Sequence, residues 1–561
     1  MNSRTISVLL LFIFIISGVP PATAGYQQQR ERKAAPAPVA QATPTPPPGQ
    51  PPQPTPEQEA EPVSTPGPRT ASTTRTLGEL QSRISEILRK PEFSPALIAI
   101  KVASLDTGRV LFEDNSHKLV RPASNMKLYT VAAALDRLSP DFHFVTSVYA
   151  QTKPDEDGVI KGDLIIYGRG DPSLAARFNN GDYFKGIDDL ATRIAASGLK
   201  RLDGNLIGDE TYFSGSPYGS GWEWGDLTWY YGAEVSSLAV NDNALDLFVK
   251  PGTQVGSAAL VTTGPPDPLL TIVNRVTTAA KGTRRSISVY RSLGENRLEL
   301  SGTIPVDDHG YTGGVGISHP AQLFMSLLRS ALGQHGIKVK GQTQVVSERT
   351  GVSLIPKGSN PPSQPAPIEI AKLQSPPFAT VAAQTLKPSQ NLYTEIILRT
   401  LGEVAPVPAT ATSSVQTSED AGHDVVKAFL KEAGLNPDSL VLSDGSGLSR
   451  NDMITVDSNV QLLTYMSKHK YAAVWRDALP IAGVDGTLRN RLRNTPAENN
   501  LRAKTGSLSS AASLSGYVTS AAGENLVFSI VVNNYTSDAE PRAACIDPIA
   551  VLLASFAGRS M

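Results

Sequence analysis

The chain contains 561 residues, which is enough for several domains with substantial hydrophobic cores. Its 51 basic and 52 acidic residues give a net charge of -1, so the composition lacks the excess positive charge by which proteins bind nucleic acids or anionic membrane surfaces. Cys545 is the only cysteine, which excludes an intrachain disulfide framework and a thiolate-rich metal site.

The amino terminus predicts export of the protein. Arg4 precedes an apolar block at residues 8–16, and small residues follow at 22–24. This order is typical of a cleaved signal peptide. An apolar strand or an uncleaved anchor helix is the alternative, but the block is short for a bilayer span. We therefore predict that residues 1–24 are removed and that the protein acts in the periplasm or elsewhere in or outside the cell envelope, with peripheral or no membrane association.

Residues 25–76 are predicted to form a proline-rich linker. Between Pro36 and Pro68 lie 13 of the chain's 43 prolines. Proline at this density cannot donate the hydrogen bonds of a sheet, so the tract should be an extended spacer with polyproline II character. It either lets the folded part reach away from a membrane or wall, or is an idle disordered tail, and the sequence leaves both interpretations open.

The first folded elements are predicted from Leu77 onward. The segment LGELQSRISEIL has the apolar spacing of a helix. After it, ALIAIKVASLDTGRVLFEDN alternates like two strands joined by a turn at residues 106–108. Another helix follows, with Ser124 at its start, and ends near Pro140. The predicted order is therefore helix, hairpin, helix.

The pattern then changes twice. Short β-like stretches such as GDLIIYG and RLDGNLIGD, with few helices such as GISHPAQLFMSLLRSALGQHG, continue to about residue 374. Long helices resume in FATVAAQTLKPSQNLYTEIILRTLG, and the chain ends with the strands AASLSGYVTS and NLVFSIVVNN and a helix near IDPIAVLLASFAG. We therefore predict an α/β (α+β) domain split into residues 77–141 and 375–561, with one or two β-rich domains inserted at 142–374.

Ser124 and Lys127 are candidates for nucleophilic catalysis. Residues three apart lie on one face of a helix, so the hydroxyl and the amine can meet. The start of a helix also offers free backbone N–H groups to an oxyanion. A serine hydroxyl is a poor nucleophile alone, but a neutral lysine can take its proton. The Ser-x-x-Lys pattern recurs at residues 197–200 and 467–470, where a solvated lysine near a capping serine is the simpler interpretation.

A Ser-Lys mechanism needs further groups. These are a second hydroxyl to relay protons, an amide to hold the substrate backbone and a cation for a substrate carboxylate. Lys-Thr-Gly occurs once, at residues 504–506, just before a strong strand. Ser-x-Asn occurs at residues 389–391 and at residues 449–451. Ser-x-x-Lys, Ser-Asp-Asn and Lys-Thr-Gly together mark class A β-lactamases and penicillin-binding proteins.

The chain resembles this superfamily, and more narrowly the low-molecular-mass class C penicillin-binding proteins, the D-Ala-D-Ala carboxypeptidase/endopeptidase family also called peptidase family S13. The resemblance covers nearly everything from Leu77 to the end. It implies a five-stranded antiparallel sheet flanked by helices. The segments that carry it are PASNMKLYT, GDLIIYGRGDPSL, GWEWGDLTWYYGAEVSSLAVNDN, KPSQNLYTEIILRTLG, DGSGLSRND and KTGSLSSAASLSGYV.

The resemblance selects the first Ser-x-Asn motif. In similar proteins this motif lies about a hundred residues before Lys-Thr-Gly, in a K-x-S-x-N-x-x-x-E context that KPSQNLYTE matches. Gln390 departs from the usual aspartate, which is not the proton carrier. Asn451, in the second motif, is then expected to be structural.

The resemblance also implies catalytic roles. Ser124 would attack the carbonyl of a terminal D-Ala-D-Ala peptide, and Lys127 would be the base for acylation. Ser389 would pass a proton to the departing D-Ala, and Asn391 would hydrogen-bond the acyl portion. The resulting acyl-enzyme would be hydrolysed by water.

Substrate binding is assigned in the same way. Lys504, Thr505 and Gly506 would hold the terminal carboxylate, and Lys504 would favour a neutral Lys127 by keeping the site electropositive. The backbone N–H groups of Ser124 and Ser507 would form the oxyanion hole.

A pocket for the amino-carboxylate end of a diaminopimelate side chain is implied by Trp222, Trp224, Asp226, Tyr231 and Arg450. The opposite charges of Asp226 and Arg450 would match a zwitterion. For the two tryptophans, packing within the inserted domain is equally consistent with the sequence.

Other chemistries are poorly supported. The seven histidines are scattered without metal-ligand spacing, so we predict no metal and no cofactor. The expected partners are peptidoglycan stem peptides and β-lactam antibiotics as covalent ligands, with no nucleic acid. A β-lactamase-like hydrolase and a non-catalytic wall-binding scaffold are the alternative functions. The first would differ only in its deacylation rate, and the second is disfavoured because the required polar groups are all present.

Overall fold

The computed structural model describes residues 73–265, 269–348, 353–355, 366–407 and 416–560. The predicted signal peptide and residues 25–72 of the predicted linker lie outside these ranges, whereas residues 73–76 are described and contain the buried Thr74. Within the described ranges, no helix combines the length and the apolar character needed to cross a membrane.

The helices and strands follow one another along the whole described chain. The α-helices are α1 (Leu77–Leu88), α2 (Lys127–Leu138), α3 (Lys185–Ala196), α4 (Pro320–Gln334), α5 (Phe378–Leu386), α6 (Asn391–Val404), α7 (Ser418–Glu432), α8 (Val456–Ser467), α9 (Ala472–Ala478) and α10 (Asp547–Ser555). The β-strands are β1 (Leu97–Ser104), β2 (Val110–Asp114), β3 (Val145–Ala150), β4 (Val159–Ile160), β5 (Leu164–Tyr167), β6 (Arg201–Leu202), β7 (Leu206–Asp209), β8 (Ala244–Lys250), β9 (Leu260–Gly264), β10 (Thr271–Ala279), β11 (Ser286–Arg291), β12 (Arg297–Pro305), β13 (Tyr311–Gly316), β14 (Lys338–Val339), β15 (Thr343–Val346), β16 (Ile368–Gln374), β17 (Arg502–Leu508), β18 (Ala511–Thr519) and β19 (Asn525–Asn533).

The first elements confirm the order expected from the sequence. Helix α1 begins with a capping box, in which the Thr76 hydroxyl accepts from the Glu79 backbone N–H and the Glu79 carboxylate accepts from that of Thr76. Leu80 and Ile84 are its buried residues. Strands β1 and β2 then form an antiparallel hairpin around the predicted turn. The apolar spacing therefore identified both element types correctly.

The central sheet joins the two ends of the chain. Its order is β17-β18-β19-β1-β2, and every neighbouring pair is antiparallel. Strand β1 pairs with β19 from Leu97 opposite Asn533 to Ser104 opposite Leu526. The prediction of a five-stranded antiparallel sheet flanked by helices is confirmed. Strand β17 is an edge strand of this sheet, and at its start its outer side pairs with residues 480–481, where Ala503 N–H donates to the Pro480 carbonyl at 3.0 Å.

A helical layer packs beside this sheet. Residues of α2, α5, α6, α7, α8 and α9 share one apolar cluster. The segment predicted to hold long helices forms two, because Pro388 cannot donate the next helical hydrogen bond and Ser389 has a φ of +65°. The Gln390 side chain then caps α6 by accepting from the backbone N–H of Leu392. This break exposes Ser389 in the turn between the helices.

The strands between Val145 and Gln374 form sheets of their own in the described chain. One has five strands in the order β15-β7-β5-β3-β16, and three have three strands each, β10-β12-β11, β13-β8-β9 and β14-β6-β4. Helices α3 and α4 contribute to the apolar cluster of this segment. Val235 and Ala239, in contrast, pack into the cluster of the helical layer. The boundaries proposed for the insertion, 142–374, remain a prediction.

Candidate active site

Ser124 lies in a single turn of 3-10 helix, Ala123–Met126, that leads directly into α2. Ala123 has a φ of +48°, a backbone region that alanine rarely occupies and that occurs preferentially at functional sites. Ser124 is half-buried, whereas the residues of the first turns of α2 are buried. The hydroxyl is therefore held at the surface of a rigid, packed helix.

Lys127 is fully buried and hydrogen-bonded to three oxygens. Its Nζ lies 3.0 Å from Ser124 Oγ, 2.6 Å from Asn391 Oδ1 and 2.7 Å from the carbonyl oxygen of Ser446. The Asn391 side-chain oxygen and the Ser446 carbonyl oxygen can only accept hydrogen bonds, while the Ser124 hydroxyl can also donate one. A neutral amine would therefore direct two N–H groups to Asn391 and Ser446 and its lone pair to the Ser124 hydroxyl. This geometry suits removal of the Ser124 proton by Lys127.

Lys504 is a second buried lysine, on the other side of the site. It lies on the edge strand β17, and its Nζ is 2.8 Å from Ser389 Oγ. The neighbouring Thr505 hydroxyl lies 2.7 Å from Thr487 Oγ1. Lys504 can donate a hydrogen bond but not accept one, so the Ser389 hydroxyl accepts from it and keeps its own proton free for transfer.

Strand β17 is joined to the Ser124 turn by buried polar contacts. Asn125 Nδ2 donates to the Lys504 carbonyl at 3.2 Å and to Ser513 Oγ at 2.6 Å, and that hydroxyl donates to the Pro122 carbonyl at 2.8 Å. Gly506 packs so closely that a Cβ atom there would lie 2.7 Å from the Pro122 oxygen. The close approach explains why glycine follows Lys504 and Thr505.

Ser507 is the next residue of β17 and is exposed at the edge of the site. Arg542 donates a hydrogen bond to its hydroxyl. The predicted oxyanion-hole role of Ser507 depends on its backbone N–H, which this side-chain contact does not involve.

The turn before α6 connects the two lysines. Ser389 contacts Lys504, while Asn391, two residues later, contacts Lys127. The motifs at 124–127, 389–391 and 504–506 are thus brought together by direct hydrogen bonds. Ser449 of the alternative Ser-x-Asn motif accepts from the backbone N–H of Asn451 instead, at 3.3 Å. Asn451 itself is exposed.

Three of the five residues predicted for a side-chain pocket form direct links to one another or to Asn391. Arg450 lies 2.8 Å from Asp226 Oδ2 and 2.8 Å from Glu223 Oε1. The carbonyl of Tyr231 accepts from Asn391 Nδ2 at 2.9 Å. Burial, and secondarily the charge of Asp226, raises the pKa of the Tyr231 phenol well above its usual range. The phenol oxygen is buried without a hydrogen-bond partner in the described structure.

The tryptophans take different positions. Trp222 is half-buried and donates from Nε1 to Asp444 Oδ2 at 2.8 Å. Trp224 is 69% exposed and so lies outside any core. Trp229, which the sequence did not single out, is the residue of this run that packs into the apolar cluster of the insertion. The core-packing alternative is therefore wrong for Trp224.

Several functional contacts were not predicted from the sequence. The Ser446 carbonyl, the Thr487 hydroxyl, the Asn125 amide and the Asp444 carboxylate each contact a predicted site residue or hold a group that does. Only DGSGLSR carried a signal, because a run of glycine and serine after an aspartate is typical of a loop organised by that carboxylate. The others are long-range contacts without a local motif.

The arrangement is that of a penicillin-binding protein. The structure is similar to penicillin-binding protein 4 of Haemophilus influenzae, with a TM-score of 0.71, 23% identity and coverage of 85% of this chain and 99% of that one. It also matches a complex of that protein with a β-lactam, with a TM-score of 0.64, 21% identity and coverage of 83% and 98%. These likenesses establish the fold.

Sequence comparison establishes the family. The chain is 33% identical over 506 residues to a D-alanyl-D-alanine carboxypeptidase of an Actinomadura species, covering 88% of each chain. It is 25% identical over 467 residues to the D-alanyl-D-alanine carboxypeptidase DacB of Haemophilus influenzae, covering 82% of this chain and 90% of that one. Residues 80–556 match the D-Ala-D-Ala carboxypeptidase 3 (S13) family, and the chain belongs to it. It is a serine peptidase.

Proposed function

We propose that the protein is a serine-type D-Ala-D-Ala carboxypeptidase, a D,D-endopeptidase, or both, acting on peptidoglycan stem peptides through an acyl-enzyme. The observation that carries this proposal is the pair of buried lysines, of which Lys127 contacts Ser124 and Asn391 while Lys504 contacts Ser389. Two lysines with separate hydroxyl partners provide one proton acceptor for the attack and one route for returning the proton to the leaving group.

Acylation begins with Ser124. Its Oγ attacks the carbonyl carbon of the penultimate D-Ala while Lys127 takes the hydroxyl proton. The carbonyl oxygen becomes an oxyanion, which the backbone N–H groups of Ser124 and Ser507 stabilise. The C–N bond then breaks, Ser389 gives its proton to the departing amine, and the acyl group remains as an ester on Ser124. The proton that Lys127 took from Ser124 then restores the Ser389 hydroxyl, so the site neither gains nor loses a proton in the acylation.

Deacylation reverses the same steps with water. A water molecule loses a proton to Lys127 and attacks the ester carbonyl, and the Ser124 oxygen leaves with a returned proton. The free carboxylate of the shortened peptide is the product. A β-lactam would acylate Ser124 by opening of the β-lactam ring amide. The carbonyl and the carboxylate of the antibiotic would occupy the positions of the scissile carbonyl and the terminal carboxylate of the peptide.

Substrate orientation falls to β17 and to the insertion. Lys504 and Thr505 would bind the carboxylate of the terminal D-Ala, with Gly506 admitting the peptide close to the strand. The Asp226–Arg450 pair, with Glu223 beside it, would exchange its internal ion pair for the ammonium and carboxylate of a diaminopimelate end. Tyr231, Trp222 and the exposed Trp224 would border this end of the peptide.

We also propose that the protein acts outside the cytoplasm. The support is the arrangement of charge, apolar block and small residues in positions 1–24, together with a substrate that belongs to the cell wall.

Labelling with a fluorescent penicillin tests the proposed function. The wild-type protein should become covalently labelled, and Ser124→Ala should abolish the label while leaving the circular dichroism spectrum unchanged. Digestion of purified peptidoglycan should release D-Ala, split cross-linked muropeptides, or both, as measured by mass spectrometry. A wild-type protein that is folded but remains unlabelled would contradict the proposal.

A further inference from the structure

The loop of residues 443–452, here called the Asp444 loop, is organised around one buried carboxylate. Asp444 Oδ1 accepts from the backbone N–H groups of Ser446 at 3.1 Å and Gly447 at 2.6 Å. Its Oδ2 accepts from those of Leu448 at 3.0 Å and Ser449 at 2.9 Å, and from the Ser446 hydroxyl at 3.0 Å. Asp444 is 0% exposed. So many donors converging on one group specify an ionised acceptor.

The Asp444 loop supports the active site at two points. Ser446 donates its backbone N–H to Asp444, and its carbonyl oxygen accepts a hydrogen bond from Lys127 at 2.7 Å. Arg450, one residue beyond the last, forms the ion pair with Asp226. The indole of Trp222 adds a third link, because it donates to the same Asp444 oxygen. One carboxylate therefore fixes the catalytic lysine and the side-chain pocket together.

A second buried carboxyl group lies against the first. Asp452 is also 0% exposed, and its Oδ1 accepts from the backbone N–H of Ser443 at 2.7 Å and from that of Asp444 at 3.4 Å. Its Oδ2 faces no donor among the described groups. Because Asp452 Oδ1 accepts from the backbone N–H of Asp444, the two residues are neighbours, and burial followed by the charge of Asp444 raises the pKa of Asp452 well above its usual range. Two adjacent buried carboxyl groups cannot both be ionised without a large penalty.

The hydrogen-bond donors favour charge on Asp444 over charge on Asp452. Six donors converge on the Asp444 carboxylate, whereas two reach Asp452. Burial opposes charge on Asp444, but the hydrogen bonds that it accepts outweigh burial and lower its pKa. Other ionisable groups surround the pair. Glu395 on α6 accepts from the Gly445 N–H at 3.0 Å, and His423 on α7 lies nearby.

Glu395 is in turn paired with a buried arginine. Arg399 donates to Glu395 Oε2 at 3.1 Å and to Glu419 Oε2 at 2.9 Å. The positive charge of Arg399 offsets part of the negative charge around the Asp444 loop. This lowers the cost of burying an ionised carboxylate at Asp444.

We propose that Asp444 is a positioning residue that holds Lys127 through the Ser446 carbonyl, and that Asp452 carries the proton that bridges the two carboxyl groups. The inference rests on the proposed function and adds a residue that touches neither the substrate nor the reacting atoms. It makes an asymmetric prediction for two chemically identical substitutions. Asparagine at 452 replaces a proton donor by another donor, whereas asparagine at 444 places an N–H₂ group among N–H donors.

The experiment compares Asp444→Asn with Asp452→Asn in the complete chain. The readout is the second-order rate constant for acylation by a fluorescent penicillin, divided by the fraction of titratable sites. We expect a loss of about 10- to 100-fold for Asp444→Asn, since an amide at 444 leaves two or more donors unpaired in either orientation. We expect Asp452→Asn to stay within about threefold of wild type, because its amide N–H reproduces the proton.

The rate per site distinguishes positioning from support of the fold. A purely structural role would lower the unfolding midpoint and the number of active sites but leave that rate unchanged, and this result would overturn the proposal. Equal losses in both variants would also overturn it, since they would mean that Asp452 is ionised. If Asp444→Asn does not fold, Trp222→Phe replaces it as the test, because this substitution removes one hydrogen-bond donor to Asp444. An acylation rate for Trp222→Phe within about twofold of wild type would then count against the proposal. An unlabelled wild type would instead refute the proposed function.

Discussion

The two Ser-x-Asn motifs make a direct test of the proton route possible. Ser389 Oγ accepts a hydrogen bond from Lys504, whereas Ser449 Oγ accepts one from the backbone N–H of Asn451. We expect Ser389→Ala to lower the rate of penicillin acylation by about 10²- to 10⁴-fold, the usual contribution of a positioned acid or base. Stopped-flow fluorescence measures this rate.

Ser449→Ala is the matched control, because it removes a buried serine hydroxyl from the other motif and keeps the backbone N–H that Asp444 needs. Its acylation rate should lie within about threefold of wild type. A large loss for Ser449→Ala and a small one for Ser389→Ala would transfer the relay role to the second motif.

Asp226 should affect substrate choice and not the chemical step. Its carboxylate is buried beside Arg450, and Asp226→Asn would remove the buried one of the two carboxylates that lie 2.8 Å from the guanidinium. We expect kcat/KM to fall by about tenfold or more for stem peptides with a free diaminopimelate end, the usual effect of losing one partner of a buried ion pair. Peptides whose side-chain amine is acetylated should lose less, and penicillin labelling should continue. Steady-state release of D-Ala compares the two peptides, and equal losses for both would contradict the assigned pocket.

Strand β17 is positioned by a close contact that tolerates no side chain. A Cβ at Gly506 would lie 2.1 Å from Ser513 Oγ as well as against the Pro122 carbonyl. We expect Gly506→Ala to destabilise the fold by about 1–3 kcal/mol, the usual effect of overpacking, and to slow acylation by moving Lys504 and Ser507 away from Ser124. Urea unfolding and penicillin labelling measure the two effects.

Gly78 provides the control for this substitution. It lies in the first turn of α1, where an added Cβ would meet no atom within 4 Å. Gly78→Ala should therefore be neutral or stabilise the protein by up to about 1 kcal/mol, because alanine favours helix. If both alanine variants acylated at the wild-type rate, the close approach of β17 would not be needed to place the site.

Most of the helices and strands could be predicted from the sequence, whereas some of the turns that connect them could not. Apolar spacing identified α1, the β1–β2 hairpin and strands β18 and β19, because these elements bury one continuous face. The helix break at 387–390 was less evident, since its signal is one proline in an otherwise helical pattern. The positive φ at Ala123 has no signal at all, because tertiary contacts impose it.

The same distinction applies to the site. Ser124 and Lys127 are neighbours on one turn, so their contact follows from sequence spacing. The contacts of Lys127 with Asn391 and Ser446 join segments about 260 and 320 residues away along the chain. A family resemblance selected Asn391, because that position has a motif. Ser446 contributes only its backbone carbonyl, which no residue type could reveal.

Burial of carboxyl groups should make the stability of the molecule depend on pH. Asp171, which follows β5 in the insertion, is 1% exposed, and burial raises its pKa to about 6. Its Oδ1 accepts from the Ser173 backbone N–H at 2.8 Å, while Oδ2 has no hydrogen-bond partner in the described structure. The folded protein therefore favours the protonated carboxyl group. The stability gained is complete below the unfolded pKa of 3.8 and is lost as the pH rises through about 6.

Asp171→Asn should remove this dependence, because its neutral amide has nearly the same shape as the protonated carboxyl group. From pH 4.5 to pH 7.5 the variant should gain on the order of 2 kcal/mol relative to wild type, as measured by urea unfolding at both pH values. Asp203→Asn is the control. Lys340 and Arg201 lower the pKa of the half-buried Asp203, so its contribution is lost only as the pH falls below 3.8. The difference from wild type should therefore stay constant over this range. A constant difference for Asp171→Asn as well would mean that the Asp171 carboxyl group is ionised throughout, and that water or local opening reaches it despite its burial.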